Sequence, residues 1–317
     1  MPRVTTAATR VGLALGALGG ALMLNRELAG RETKPAEADA GRLVPTALGE
    51  LHVLEEGDPA AAPAVLLHGF GGSLHWFDRL APLLAADHRV IRVDALGHGG
   101  SAKPRIDYSF EQHAAAVAEA LERLGVARAL FVGHSFGGAL AIAVGERRRE
   151  LVERIVLMDD GPDNGYGDQP LMTVMGFVPV LGELLRRLAF DSAIRDGFRD
   201  AFADGFDLAS GFDDPDQVIR DYRAMTFTSY KGCWDAEEAY MDETPLDERL
   251  RRLGVPGLVV FGEHDNFFRA EEAAAAYRRV PGLRVEVMAG AGHSPNVERP
   301  EEVARLVREL EAAAVAG

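Results

Sequence analysis

Gly133-His134-Ser135-Phe136-Gly137 sets a serine at the centre of a glycine-bracketed turn. An apolar run, Ala129-Leu130-Phe131-Val132, precedes it, and a helix-like run, Gly138 to Val144, follows. Strand, tight turn, helix is the context in which G-x-S-x-G exposes a nucleophilic hydroxyl and aims the next backbone N–H at the same point. A capping serine in an ordinary β–α turn is the competing reading. A serine hydroxyl reacts only when a base removes its proton and an acid orients that base. Of nine histidines, His293 is the candidate base, on a glycine-rich loop (Ala289 to Pro295) after the strand-like Leu283 to Met288. Asp265 is the candidate acid, in Gly262-Glu263-His264-Asp265 after the apolar Gly257 to Phe261. Asp159 and Asp160, ending Arg154 to Met158, are the rival source of the acid. With Asp265 the chain order is Ser, Asp, His, an order expected for a serine on a strand–turn–helix elbow.

A developing oxyanion needs two donors. Phe136 N–H supplies one, and Phe70 N–H the other, from His68-Gly69-Phe70-Gly71-Gly72 after the apolar Ala64 to Leu67. His68 reads as a residue that bonds its own loop, and Trp76, just beyond, is a candidate for the mouth of the site.

The elements that must hold these groups alternate. A hairpin is expected over 42–46 and 51–54, and strands at 64–67, 89–94, 129–132, 154–158, 257–261 and 283–288. Helical segments are expected near 74–86, 110–124, 137–149, 270–279 and 300–314, the second opened by a capping box, Ser109 to Gln112. Such alternation predicts an α/β fold with a mostly parallel eight-stranded sheet covered on both faces.

Four separated motifs make the chain resemble the α/β-hydrolases over residues 42–315: His68 to Gly72, Asp94 to Ser101, Gly133 to Gly138, and Gly262 to Asp265 with Gly292-His293. The resemblance implies Ser135 as nucleophile, His293 as base, Asp265 as its orienter, and Phe70 and Phe136 as oxyanion donors. It also implies a core of residues 42–160 and 249–317 with a helical cap, 161–248, inserted after the sixth strand. Relatives that open epoxides or displace halide carry Asp at the elbow, so Ser135 points to acyl transfer on a carboxylic ester. Carbon–carbon bond hydrolases and cofactor-free haloperoxidases share the triad, and a non-catalytic ligand-binding member is a further alternative. No cofactor or metal is implied.

Within the cap stretch, helices are expected at Leu171 to Phe190, Ala193 to Phe206, Asp216 to Phe227 and Trp234 to Met241. Met172, Met175, Phe177, Leu181, Phe190, Phe227 and Trp234 are candidates to face substrate, and equally candidates to pack cap on core. The apolar character of Leu171 to Leu181 favours a small to medium, partly hydrophobic substrate. Arg186-Arg187 and Arg147 to Arg149 read as solvated helix faces.

The 317 residues are 47% hydrophobic and 26% charged, enough for one α/β domain with an insertion. A net charge of -15 disfavours nucleic acid and anionic lipid as partners. Cys233 is the only cysteine, so no intrachain disulfide forms, and it reads as an apolar filler. The start of the chain differs in kind. Arg3 and Arg10 precede an uncharged 14-residue run, Val11 to Leu24. That pattern fits a secretory signal or an uncleaved membrane anchor over residues 1–27, and is short for a spanning helix. Membrane association through residues 11–24 is the expectation, with export or anchoring favoured over a cytoplasmic extension. Residues 28–41 read as a polar linker.

Overall fold

The structure is a computed structural model that describes residues 36–167 and 181–315, together with residues 19–20, 22–27, 29 and 34. Met172, Met175, Phe177 and most of the apolar run 11–24 lie outside the described residues. By compactness the chain divides into two units, Lys34–Asp168 with Asp191–Gly317, and Met1–Thr33 with Gln169–Phe190.

The larger unit is built on one eight-stranded sheet: β1 (Arg42–Val44), β2 (Leu51–Glu56), β3 (Ala62–Leu67), β4 (His88–Val93), β5 (Ala129–His134), β6 (Val152–Met158), β7 (Gly257–Gly262) and β8 (Leu283–Met288). Their order is β1-β2-β4-β3-β5-β6-β7-β8. β2 runs antiparallel to β1 and β4, and all other pairs are parallel. This is the mostly parallel eight-stranded sheet that the alternation predicted, in the arrangement that the resemblance implied. The strands are apolar at successive residues because both faces are covered. Val65, Leu67, Ile91, Val93, Phe131, Ile155 and Leu157 enter one core cluster. The alternate residues Ala64, Leu66, Val90, Leu130, Val132, Val156 and Met158 enter the other. That division follows the two-residue period of a strand.

Eleven helices are assigned among the described residues: α1 (Ala81–Leu84), α2 (Phe110–Arg123), α3 (Phe136–Arg147), α4 (Leu181–Arg187), α5 (Asp191–Phe198), α6 (Gln217–Ala224), α7 (Phe227–Glu243), α8 (Leu246–Leu253), α9 (Ala270–Tyr277), α10 (Pro295–Glu298) and α11 (Pro300–Val315). The segment between β6 and β7 carries α4 to α8 and three short 3₁₀ turns, with no strand among its described residues.

The capping box expected at Ser109 does not form. Ser109 makes no side-chain cap, and its N–H donates to the Asp107 carboxylate at 3.1 Å, which removes the donor that Gln112 would need. The capping box that does form is Thr226 with Ser229, opening α7. The 74–86 helix is two pieces, a 3₁₀ turn Leu74–Phe77 and the short α1.

In the smaller unit, residues 22–27 are helical and meet α4 through Asn25, which donates to Glu183 at 2.8 Å and accepts from Arg187. Arg187 also pairs with Glu183 at 2.9 Å, so the Arg186-Arg187 doublet is not a solvated face. Arg186 itself is buried. No helix among the described residues is long and apolar enough to cross a membrane.

Candidate active site

Parallel strands deliver their C-terminal ends to one edge of the sheet, and the chemistry-bearing residues lie there. Gly133 pairs with Leu67 and Leu157, Met158 with Val260, and Gly262 with Met288. The loops that follow β3, β5, β6, β7 and β8 therefore converge.

Ser135 has φ 49° and ψ −126°, a left-handed conformation that costs a non-glycine residue about 1–3 kcal/mol. The neighbourhood enforces it. Ser135 N–H donates to the Met158 carbonyl at 2.8 Å, and Gly138 N–H donates to the Ser135 carbonyl at 2.6 Å. A Cβ on Gly133 would overlap the Gly137 carbonyl, and one on Gly137 would overlap the Leu67 carbonyl. The bracketing glycines are thus required by close backbone approach, and the turn holds Ser135 half-buried at the N-terminus of α3.

His293 Nδ1 lies 3.0 Å from Asp265 Oδ2, and both side chains are buried. A carboxylate only accepts, so Nδ1 carries the proton and Nε2 is left as the basic nitrogen. Asp265 Oδ1 accepts from Phe267 N–H at 2.7 Å and Phe268 N–H at 3.1 Å. Burial opposes the Asp265 charge, but His293 and the two backbone donors outweigh it and hold the carboxyl below its ordinary range. The His293 ring packs against Phe267 at 4.7 Å, His134 at 5.1 Å and Phe268 at 5.9 Å between centroids. Its backbone is fixed as well: Glu298 accepts from Gly292 N–H at 3.0 Å and from Ser294 N–H at 3.2 Å.

The structure thus pairs Asp265 with His293 directly and packs His293 on the residue that precedes Ser135. The rival acids separate. Asp160 is buried, pushed well above its usual range first by burial and then by Glu237. Asp159 also follows β6 and lies beside Asp265: Asp159, Asp265 and His293 each offer one ligand atom, all within 4.8 Å of one another.

Phe70 lies in the loop after β3 and Phe136 opens α3, and both rings contact the His98 ring, at 6.0 and 5.6 Å between centroids. Among the described residues neither backbone N–H has an acceptor of its own. His68 holds the Phe70 loop as expected, its Nδ1 donating to the Gly69 carbonyl at 2.8 Å and its Nε2 accepting from Ala95 N–H at 3.1 Å. The half-buried Phe70 ring is covered by Tyr230 at 4.9 Å and Trp234 at 5.4 Å, both on α7. Trp234 therefore sits over the loop that offers one of the two free N–H groups. Phe227, the first residue of α7, is half-buried.

Trp76 does not line a mouth. It is 3% exposed, and its Nε1–H donates to Asp221 on α6 at 2.9 Å. Its ring stacks on His134 and Phe202 at 5.8 and 5.7 Å. A buried indole N–H needs an acceptor, and Asp221 is that acceptor. Burial pushes the Asp221 carboxyl up to about 7 against the hydrogen bonds it receives.

Sequence reasoning missed Tyr230, His134 and the pair Phe267-Phe268. Only the last carried a local signal, two aromatics immediately after the candidate acid. His134 Nε2 donates to the His293 carbonyl at 2.7 Å, a contact across 159 residues.

The sequence profile described as the alpha/beta hydrolase family matches residues 64–306. The chain is 28% identical over 297 residues to 2-hydroxy-6-oxo-2,4-heptadienoate hydrolase of Pseudomonas putida, covering 87% of this chain and 98% of that one. Among solved structures, it is similar to an enol-lactonase from Burkholderia xenovorans, with TM-score 0.70 and 24% identity over 86% of this chain and 100% of the other. It is also similar to a carboxylesterase from Bacillus subtilis, with TM-score 0.68 and 21% identity over 93% and 99%. At these identities the two structures share the fold.

Proposed function

Because the chain belongs to the alpha/beta hydrolase family, and is a hydrolase, we propose that it cleaves a carboxylic ester through an acyl-Ser135 intermediate. The observation that carries this reading is the buried Asp265–His293 pair beside a strained serine elbow. His293 Nε2 takes the Ser135 proton as Oγ attacks the ester carbonyl. Asp265 holds the imidazole in the Nδ1–H tautomer and stabilises the imidazolium that forms. The carbonyl oxygen becomes an oxyanion and is met by the N–H groups of Phe70 and Phe136. Each donor of this kind is worth about 3–4 kcal/mol of barrier. Protonated His293 gives its proton to the leaving alcohol. Water, activated by the same histidine, then releases the acid and regenerates Ser135. Side chains, two backbone N–H groups and water account for every step. The aromatic cover of Phe70, Tyr230 and Trp234 supports a partly hydrophobic substrate. Replacing Ser135 by Ala abolishes turnover of short-chain p-nitrophenyl esters in a folded protein if this reading holds, and unchanged turnover rejects it.

A second reading is carbon–carbon bond hydrolysis on the same triad. The 28% identity to a 2-hydroxy-6-oxo-2,4-heptadienoate hydrolase over nearly its full length favours it over peroxide-dependent halogenation. Comparing kcat/KM for a ring-fission diketone with that for a simple ester separates the two.

We also infer that the smaller unit rests on a lipid surface. Among the described residues, the large hydrophobic side chains that are exposed all belong to it: Leu22, Met23, Leu24, Leu185, Leu188 and Phe190, with Met23 and Phe190 each 78% exposed. Concentration of exposed apolar side chains marks an interaction surface, and here it includes the last three residues of the uncharged run Val11 to Leu24. The net charge of -15 favours an uncharged headgroup. Flotation of the full chain with phosphatidylcholine vesicles, lost in a Leu188→Ser/Phe190→Ser double variant, is the expected result. A chain that stays unbound overturns the inference.

A further inference from the structure

The mechanism above leaves one buried carboxyl beside the triad without a task. Asp159 follows β6 and Asp265 follows β7, and these strands are parallel neighbours, with Met158 opposite Val260. The two acids therefore leave the same edge of the sheet side by side. Asp159 is fully buried and tightly fixed. Its N–H donates to the Val260 carbonyl at 2.9 Å, and its Oδ1 accepts from Gly262 N–H at 2.7 Å. It holds a left-handed φ of 49°, a conformation that persists in a non-glycine residue only when the surroundings impose it.

Its other oxygen, Oδ2, is buried and has no donor among the described residues. An acceptor oxygen in that position is costly, and the nearby group is another carboxylate. Two buried carboxylates this close cannot both be charged. One proton resolves both problems, because a protonated Oδ2 becomes a donor facing an acceptor. Geometry also says which acid keeps it. Asp265 receives three hydrogen bonds, from His293 Nδ1 and from Phe267 and Phe268 N–H. Asp159 receives one, from Gly262. The anion belongs where the donors are.

We propose that Asp159 is a neutral carboxylic acid whose proton is hydrogen-bonded to Asp265, making it a positioning residue that fixes the acid of the triad. This rests on the reading of Asp265 as the orienter of His293. Burial and the charge of Asp265 both act to keep Asp159 protonated, with Glu298 adding a smaller push in the same direction. Asp159 does not touch substrate. It restrains the one carboxylate rotamer that faces Nδ1, so its effect falls on kcat and leaves KM unchanged.

Asn is isosteric with the neutral acid and keeps both roles, amide N–H toward Asp265 and amide oxygen toward Gly262. Asp159→Asn is therefore expected to retain kcat within about threefold, whereas Asp159→Leu lowers kcat by about 10- to 100-fold at unchanged KM. The infrared difference spectrum of wild type minus Asp159→Asn at neutral pH shows a protonated-carboxyl C=O stretch that the variant has lost. Absence of that band, or an Asp159→Asn variant as impaired as Asp159→Leu, overturns the proposal even if the leucine variant fails to fold. So does a divalent ion that purified wild type retains and Asp159→Asn loses, since the three side chains would then be metal ligands. An Asp265→Asn variant separates the two levels of inference: if it is fully active, the triad reading itself has failed.

Discussion

His134 Nε2 donates to the backbone carbonyl of His293 at 2.7 Å, so the residue before the candidate nucleophile holds the loop of the candidate base. A carbonyl only accepts, which places the His134 proton on Nε2 and leaves Nδ1 bare. Nδ1 is buried without a donor, and burial, reinforced by the neighbouring His293 imidazole, pushes His134 down to about 3. Trp76 stacks on the ring, with an interplanar angle of 16°. Elbow, base loop and the segment after the Phe70 loop thus meet on one neutral imidazole.

Removing that imidazole is expected to loosen the base relative to the nucleophile. His134→Phe leaves the His293 carbonyl unsatisfied, at a stability cost of about 1–3 kcal/mol. It lowers kcat by up to about 100-fold through misplacement alone. His134→Gln retains a donor and recovers part of both. Thermal denaturation and steady-state kinetics on the two variants check this.

Asp265→Asn should cost far more than its stability effect suggests. The amide stabilises the wrong imidazole tautomer, and a loss of about 10⁴-fold in kcat is expected with the fold intact. The charge on Asp265 is favoured in the folded state, so wild-type stability contributed by this group is full above the ordinary carboxylate range and fades as pH falls through its lowered value. The variant lacks that acid-side dependence, which a comparison of acid unfolding curves measures.

Within the larger unit, His75 clamps Asp39, which precedes β1, to Asp78. Its Nδ1 lies 3.2 Å from Asp78, and its Nε2 lies 3.2 Å from Asp39. Burial opposes the imidazolium, but Asp78 and then Asp39 outweigh it and raise the group to about 9. A raised histidine contributes stability that is full below its unfolded value and is lost as pH rises through the folded one. His75→Gln should therefore lower Tm relative to wild type at about pH 6, with the gap closing by about pH 10. A gap that widens with pH contradicts the clamp.

The sheet was legible because strand alternation and glycine punctuation are local signals. Ser135, Asp265 and His293 could be named as candidates because each ends or follows an apolar run at the same edge. What the sequence concealed depends on distant partners. Asp159 and Asp265 could be named only as rivals, since nothing local shows that β6 and β7 set them side by side. Trp76 was read as a mouth residue because its acceptor, Asp221, lies 145 positions away. Nothing local to His134 shows that it bonds a loop 159 positions away. Ser109 satisfied a capping pattern whose donor Asp107 had already taken.

The central claim is that Ser135 becomes acylated. Full-length protein mixed with a p-nitrophenyl ester and quenched in the first turnovers, or treated with a fluorophosphonate, can be digested and its peptides weighed. The account predicts a stoichiometric burst of p-nitrophenol and one added acyl or phosphonyl group on the peptide containing Ser135, absent from Ser135→Ala. Turnover with no adduct on that peptide, or equal labelling of Ser135→Ala, would contradict it.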